Sequence, residues 1–173
     1  AVVDMQKGKV MNIEVPPGGS YDVQGQLDVF VKPPLPLQLA NPRWEFQDAN
    51  WFPDFKASAE KLAWFYQHSR GTTVDGVIAV NASVLERVLR VVGPIANEEH
   101  NVYATAENVL PTLQEQIEIE NDKGENKPKA IVGSLLGQLL ATVQSVPPER
   151  LLALVPELNE SLTEREIQVY FVD

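Results

Sequence analysis

The spacing of apolar residues divides the chain into short alternating runs at its two ends and longer helical periods between them. Val2-Val3-Asp4-Met5-Gln6 leads through Lys7-Gly8 into a run in which Met11, Ile13 and Val15 alternate with polar residues. That pattern predicts a β-hairpin, with Gly8 supplying the positive φ of a tight turn. Pro16-Pro17-Gly18-Gly19-Ser20 ends it, and residues 27–31 read as a short strand. Pro33-Pro34-Leu35-Pro36 is extended and runs over the surface. Phe55, Ala59, Leu62, Ala63 and Tyr66 then recur at helical spacing, with Asp54 as N-cap and Gly71 in the left-handed C-terminal position.

Residues 74–80 are nearly all apolar, as expected of a strand covered on both faces. Val84, Leu85, Val88, Leu89 and Val92 give the next helix a buried stripe; Asn81, or a Ser83–Glu86 capping box, starts it and Gly93-Pro94 stops it. A third helix is predicted from Thr105 through Leu110, Leu113 and Ile117, distorted by Pro111. A polar break at 121–127 precedes a fourth, with Pro128 near its first turn and Ile131, Leu135, Leu139 and Val143 inward. Pro147-Pro148-Glu149 opens a fifth carrying Leu151, Leu154, Val155 and Leu158, kinked at Pro156, and residues 166–172 close the chain as a strand. This order predicts one layered α/β domain over residues 1–173, with helices against a mixed β-sheet.

Composition narrows the functional classes. An apolar content of 44% over 173 residues supports a proper core. The formal net charge of −10 argues against a nucleic-acid surface, which needs clustered Lys and Arg, and against adsorption to anionic lipid. With no cysteine, disulfides, thiolate zinc sites and thiol catalysis are excluded. No apolar run is long enough to span a bilayer. The chain opens inside a strand at Ala1, which reads as a fragment, so that any targeting segment would lie upstream.

The chemistry concentrates in residues 43–55, Arg-Trp-Glu-Phe-Gln-Asp-Ala-Asn-Trp-Phe-Pro-Asp-Phe. So much ring surface forfeits several kcal/mol if left in water, by an estimate of about 1.5–3 kcal/mol per large apolar side chain. Asp48, Asn50 and Asp54 meanwhile demand water or hydrogen-bond donors. One reading makes them oxygen ligands for Mg²⁺, alone or with a pyrophosphate. The other makes Asp54 a helix cap and Asp48 and Asn50 loop braces, and the residue types favour it. Trp44 and Trp51 are likewise read as core before sugar platform. His68 and His100 lack a second histidine at ligand spacing. The chain carries no Gly-x-Ser-x-Gly elbow, dinucleotide fingerprint or Walker loop, and Pro53 stands where a calcium loop needs glycine.

Residues 47–55, then Ser58-Ala59-Glu60, residues 74–81 and residues 85–95 together resemble the bacterial family known as domain of unknown function 4012. That likeness implies an extracytoplasmic module of a cell-envelope protein, anchored to the membrane only through an upstream segment absent from this chain. The family in turn looks similar to the LytR–CpsA–Psr (LCP) phosphotransferases, which move glycopolymers from polyprenyl pyrophosphate to the cell wall. The shared pattern, Val74-Asp75-Gly76 entering an apolar strand and Gly93 ending the next helix, implies an α/β/α sandwich. Carried over, it implies Mg²⁺ on Asp48 and Asp54 and phosphate on Arg43 with Lys127 or Lys129. The residues depart from that scheme, because the loop after Ile13-Glu14-Val15 lacks an Arg-Asp pair and lysines replace the arginine run. Lysine binds phosphate as a point charge without the bidentate fork of arginine. The expectation is therefore a non-catalytic binding or scaffolding module. Its candidate partners are cell-wall glycan or polyprenyl-phosphate-linked glycan, with Arg43, Asp48, Asn50, Trp51, Asp54, Lys127 and Lys129 as candidate binding residues.

Overall fold

The computed structural model describes residues 1–16, 19–122 and 130–172. In chain order its elements are β1 (Val2–Gln6), β2 (Lys9–Glu14), α1 (Phe55–Arg70), β3 (Gly76–Val80), α2 (Ser83–Val92), β4 (Ile95–Asn97), β5 (Val102–Ala104), α3 (Val109–Asp122), α4 (Ala130–Ser145), α5 (Pro148–Leu152), α6 (Leu154–Thr163) and β6 (Ile167–Phe171). Single 3₁₀ turns lie at Gly19–Val23, Leu37–Leu39 and Phe46–Asp48. The chain divides into two compact units, Ala1–Gly19 with Val80–Ile167, and Ser20–Ala79 with Gln168–Asp173.

The fold is mixed α/β. In place of the expected mixed sheet, the described residues hold three separate two-stranded pairs, β1–β2, β4–β5 and β3–β6. The first two are antiparallel hairpins. In the third, Asn81 N–H donates to Glu166 C=O and Val172 N–H to Asp75 C=O, which sets an antiparallel register. Short links between successive strands favour antiparallel pairing, because a parallel pair needs a long crossover.

In the first unit, β1 and β2 turn at Lys7 and Gly8, both at positive φ (51° and 75°), as the sequence predicts. The core draws Leu89 and Val92 from α2, Ile95, Val102 and Ala104 from the second hairpin, Val109 from α3, Ile131 and Leu135 from α4, and Leu154 from α6. That hairpin escaped the periodicity because each strand has three residues. The helix predicted from Thr105 begins at Val109 instead. Ahead of it, Thr105 N–H donates to Asn108 Oδ1 at 2.7 Å and Glu107 N–H to Thr105 Oγ1 at 3.2 Å, a polar turn. Pro111 then falls in the first turn, where backbone N–H groups have no intrahelical partner, so it does not distort α3.

Two further expectations change here. α2 has Ala82 at its N-cap with no side-chain cap bond, so neither Asn81 nor the Ser83–Glu86 box caps it. The Ser83 hydroxyl donates to Glu166 at 2.8 Å. The predicted fifth helix is two, broken at Ala153, with Pro156 in the first turn of α6. Only Leu154 of its expected inward residues is buried, while Val155 is 61% exposed. In α4, Ile131 and Leu135 are buried as expected, with Leu139 and Val143 packed beside them. The predicted break at 121–127 and Pro128 lie at or beyond the edge of the described residues.

In the second unit, Leu27, Trp44, Ala49 and Phe65 form the buried core, with Val31, Leu37, Phe46, Leu62 and Trp64 packed against it. Residues 27–31 are not a strand. Their carbonyls are taken by side chains and single amides, with Arg43 Nη2 donating to Leu27 and Val29, and Trp44 N–H to Val31 at 2.9 Å. α1 starts and stops as predicted: Asp54 accepts Ala57 N–H at 3.3 Å, and Gly71 takes φ 71°. β3 is not covered on both faces, since Ile78 is 62% exposed. Among the described residues, no helix is long and apolar enough to cross a membrane.

Candidate functional site

The aromatic segment is first a brace. Trp44 Nε1 donates to Asp48 C=O at 3.0 Å, closing the 3₁₀ turn beneath its own ring. The Trp44 ring meets Phe65 edge-on at 5.4 Å and Phe52 at 6.0 Å, contacts worth about 0.5–1.5 kcal/mol each beyond their buried area. Ser58, fully buried in α1, holds the loop by accepting Phe52 N–H at 3.0 Å and donating to Phe52 C=O at 3.1 Å.

The predicted site residues fall into different tasks within this unit. Arg43 pairs with the buried Glu45 at 3.1 Å, and Glu45 Oε2 accepts Gly25 N–H at 3.0 Å. Asp48 Oδ2 accepts the Asn41 amide at 2.7 Å, and Asp54 caps α1. Asn50 is exposed and Trp51 is 39% exposed. Lys127 and Lys129 lie outside the described residues. Among the described residues, no three His, Asp or Glu side chains are grouped so as to hold a metal ion.

A concave site lies beside α1. Glu60, Ala63, Trp64 and Gln67 recur along one helix face, and with Thr73, Val74, Tyr170 and Val172 they line an open cleft of about 210 Å³. Tyr170 Oη donates to Glu60 Oε1 at 3.2 Å. The Trp64 ring is fixed by stacking on His68 (centroids 4.0 Å apart, 24° between planes) and by Lys61 Nζ 5.2 Å from its centroid. His68 Nδ1 also lies 2.8 Å from Trp64 C=O. This half-buried histidine is therefore a ring support. The cleft offers two aromatic surfaces, a carboxylate, an amide and a hydroxyl within one shallow wall. Sequence reading missed it because Tyr170 and Glu60 are 110 residues apart; the α1 half was detectable as Glu60, Trp64 and Gln67 at one-turn spacing.

In the first unit Arg87 is a charge hub. Its guanidinium pairs with Glu160 at 2.9 Å, Glu164 at 2.7 Å and Glu166 at 2.8 Å, and with Glu157 at 3.7 Å. Burial disfavours its charge, yet the Glu166 hydrogen bond and the surrounding carboxylates raise its pKa overall. Glu166 is held below the usual glutamate range chiefly by the Ser83 hydroxyl; partial burial opposes this, and Arg87 adds to it. Glu157, Glu160 and Glu164 at helical spacing were the available sequence signal.

Fold and cleft together define a small mixed α/β module with a shallow aromatic–polar groove and, among the described residues, no assembled metal centre. The chain belongs to the DUF4012 family, described as a protein of unknown function, whose model matches residues 1–117. No curated protein and no solved structure matches the chain.

Proposed function

We propose that this domain is an extracytoplasmic binding module of a bacterial cell-envelope protein, and that it takes cell-wall glycan, free or on a lipid carrier, in the Trp64–Tyr170 cleft. One observation carries the reading: a tryptophan ring held in place beside a tyrosine, with Glu60, Gln67 and Thr73 around them. Sugar rings present C–H faces to aromatic surfaces and hydroxyls to carboxylates and amides, so this lining matches that chemistry. The envelope location and the kinship with LCP phosphotransferases, including their α/β/α layering, are part of this proposal and rest on the sequence resemblance. Binding is preferred to phosphoryl transfer because Asp48 and Asp54 are already engaged by Asn41 and the α1 N-terminus. Arg43 is likewise engaged by Glu45.

Titration of soluble peptidoglycan fragments into the protein, followed by calorimetry and tryptophan fluorescence, tests this. Saturable binding is expected, weakened about tenfold or more in Trp64→Ala, the loss of one stacking side chain. Absence of binding at millimolar fragment overturns it. A melting-temperature rise with Mg²⁺ plus a polyprenyl pyrophosphate, lost in Asp48→Asn, would favour the phosphotransferase reading instead.

A further inference from the structure

The turn at residues 29–42 exposes more apolar surface than any packing need explains: Phe30 is 69% exposed, Leu35 78% and Leu39 93%. We propose that this turn is a membrane-interface wedge, which seats Leu35 and Leu39 at the headgroup–acyl boundary of a zwitterionic phospholipid bilayer.

Three observations point to lipid. The first is direction. Leu37 packs against the Trp44–Phe65 core, whereas Leu35 and Leu39, two residues either side of it, are almost wholly exposed. Both therefore stand off the side of the turn that faces the core. Val31 is packed on the same core, so the turn is held at both ends and pays little ordering cost on insertion.

The second is hydrogen bonding. Hydrocarbon tolerates only backbone whose polar groups are satisfied internally. Pro33, Pro34, Pro36 and Pro42 have no N–H to desolvate. Leu37 and Gln38 N–H donate to Pro34 C=O at 3.0 and 3.1 Å, Leu39 N–H to Pro36 C=O at 3.4 Å, and Ala40 and Asn41 N–H to Leu37 C=O at 3.0 and 2.9 Å. The Gln38 side-chain amide donates to Pro33 C=O at 2.7 Å. From residue 36 to 41 each backbone donor is thus missing or already used. A protein partner would find few polar groups there to read.

The third is charge. Lys32 is the only charged residue between 29 and 42. A cation at the foot of an apolar tip complements the phosphate layer above the acyl chains, which a lysine stem can reach. The whole chain, at −10, is repelled by anionic lipid, so zwitterionic lipid is the fitting surface. This proposal does not depend on the glycan cleft, and either can fail alone.

Because the chain has no cysteine, Leu39→Cys carries a single environment-sensitive fluorophore, with Ser145→Cys, exposed in the first unit, as control. With phosphatidylcholine vesicles, the probe at 39 is expected to brighten and shift to the blue while the probe at 145 does not. Unlabelled Leu35→Asp/Leu39→Asp is expected to co-sediment with those vesicles at least about tenfold less, as loss of two inserted leucines requires, with an unchanged melting temperature. Equal response at both positions, no response at millimolar lipid, or binding that strengthens with phosphatidylserine overturns the proposal. So does a dimer in lipid-free solution that the double aspartate variant abolishes, which would assign the tip to self-association.

Discussion

Glu166 accepts the Ser83 hydroxyl and the Arg87 Nε–H, both at 2.8 Å, and both partners favour its ionised form. Its folded-state pKa is therefore below the unfolded one. The stability it lends is fully present above the ordinary glutamate range and is lost as pH falls through the lower, folded value. A pH series of urea melts is expected to show that acid-side loss in the native chain and a shallower one in Glu166→Gln. Asp54 and Gly71 were legible in the sequence because a cap acts on residues within one turn of itself. Arg87 was not legible as a hub, because Glu164 and Glu166 are 77 and 79 residues away. Asp48 braces its loop as the residue types favoured, though through the side-chain amide of Asn41, seven residues back, which its type alone did not name.

At the level of elements, β3 and β6 meet where there is no room for a side chain. A Cβ on Gly76 would lie 2.7 Å from Tyr170 C=O and 3.4 Å from the Phe171 ring, and a backbone oxygen cannot yield as a flexible side chain can. Gly76→Val is expected to lower stability by about 1–3 kcal/mol, the usual range for overpacking, measurable by chemical denaturation. The two strands themselves were readable as apolar runs, and so was the helix between Asp54 and Gly71. Their pairing was not, since periodicity records which residues are apolar and not which strand lies alongside. The three-residue strands β4 and β5 were too short to show alternation. Pro111 and Pro156 misled in the same way: each was read as a kink, but each sits in a first turn where a missing N–H costs nothing.

Across the molecule as a whole, the described residues hold two apolar cores, one gathered around Leu89, Ile131 and Leu154, the other around Trp44 and Phe65. The first was foreseeable in part, from the stripes of α2 and α4; in the second, Trp44 was read as core, but the fully buried Phe65 lies outside the stripe read for α1. The division of one chain into two compact units was not foreseeable, because the second unit takes up residues from both ends of a long interval. The last ten residues contribute out of proportion to their length. They supply Glu166 to Ser83 and Arg87, Tyr170 to Glu60, and all of β6. A chain ended at residue 163 is expected to lose cooperative thermal melting in circular dichroism and to be cut by protease where the native chain resists.

That dependence on the final strand has a consequence during biosynthesis. Ser83 waits 83 residues for Glu166 to be made, and Glu60 waits 110 for Tyr170. At roughly 5–20 residues per second of synthesis, β3 stands without its mate for at least several seconds on the ribosome. An apolar strand left bare that long is a natural client for a holdase, and slowing translation upstream of residue 166 lengthens its exposure.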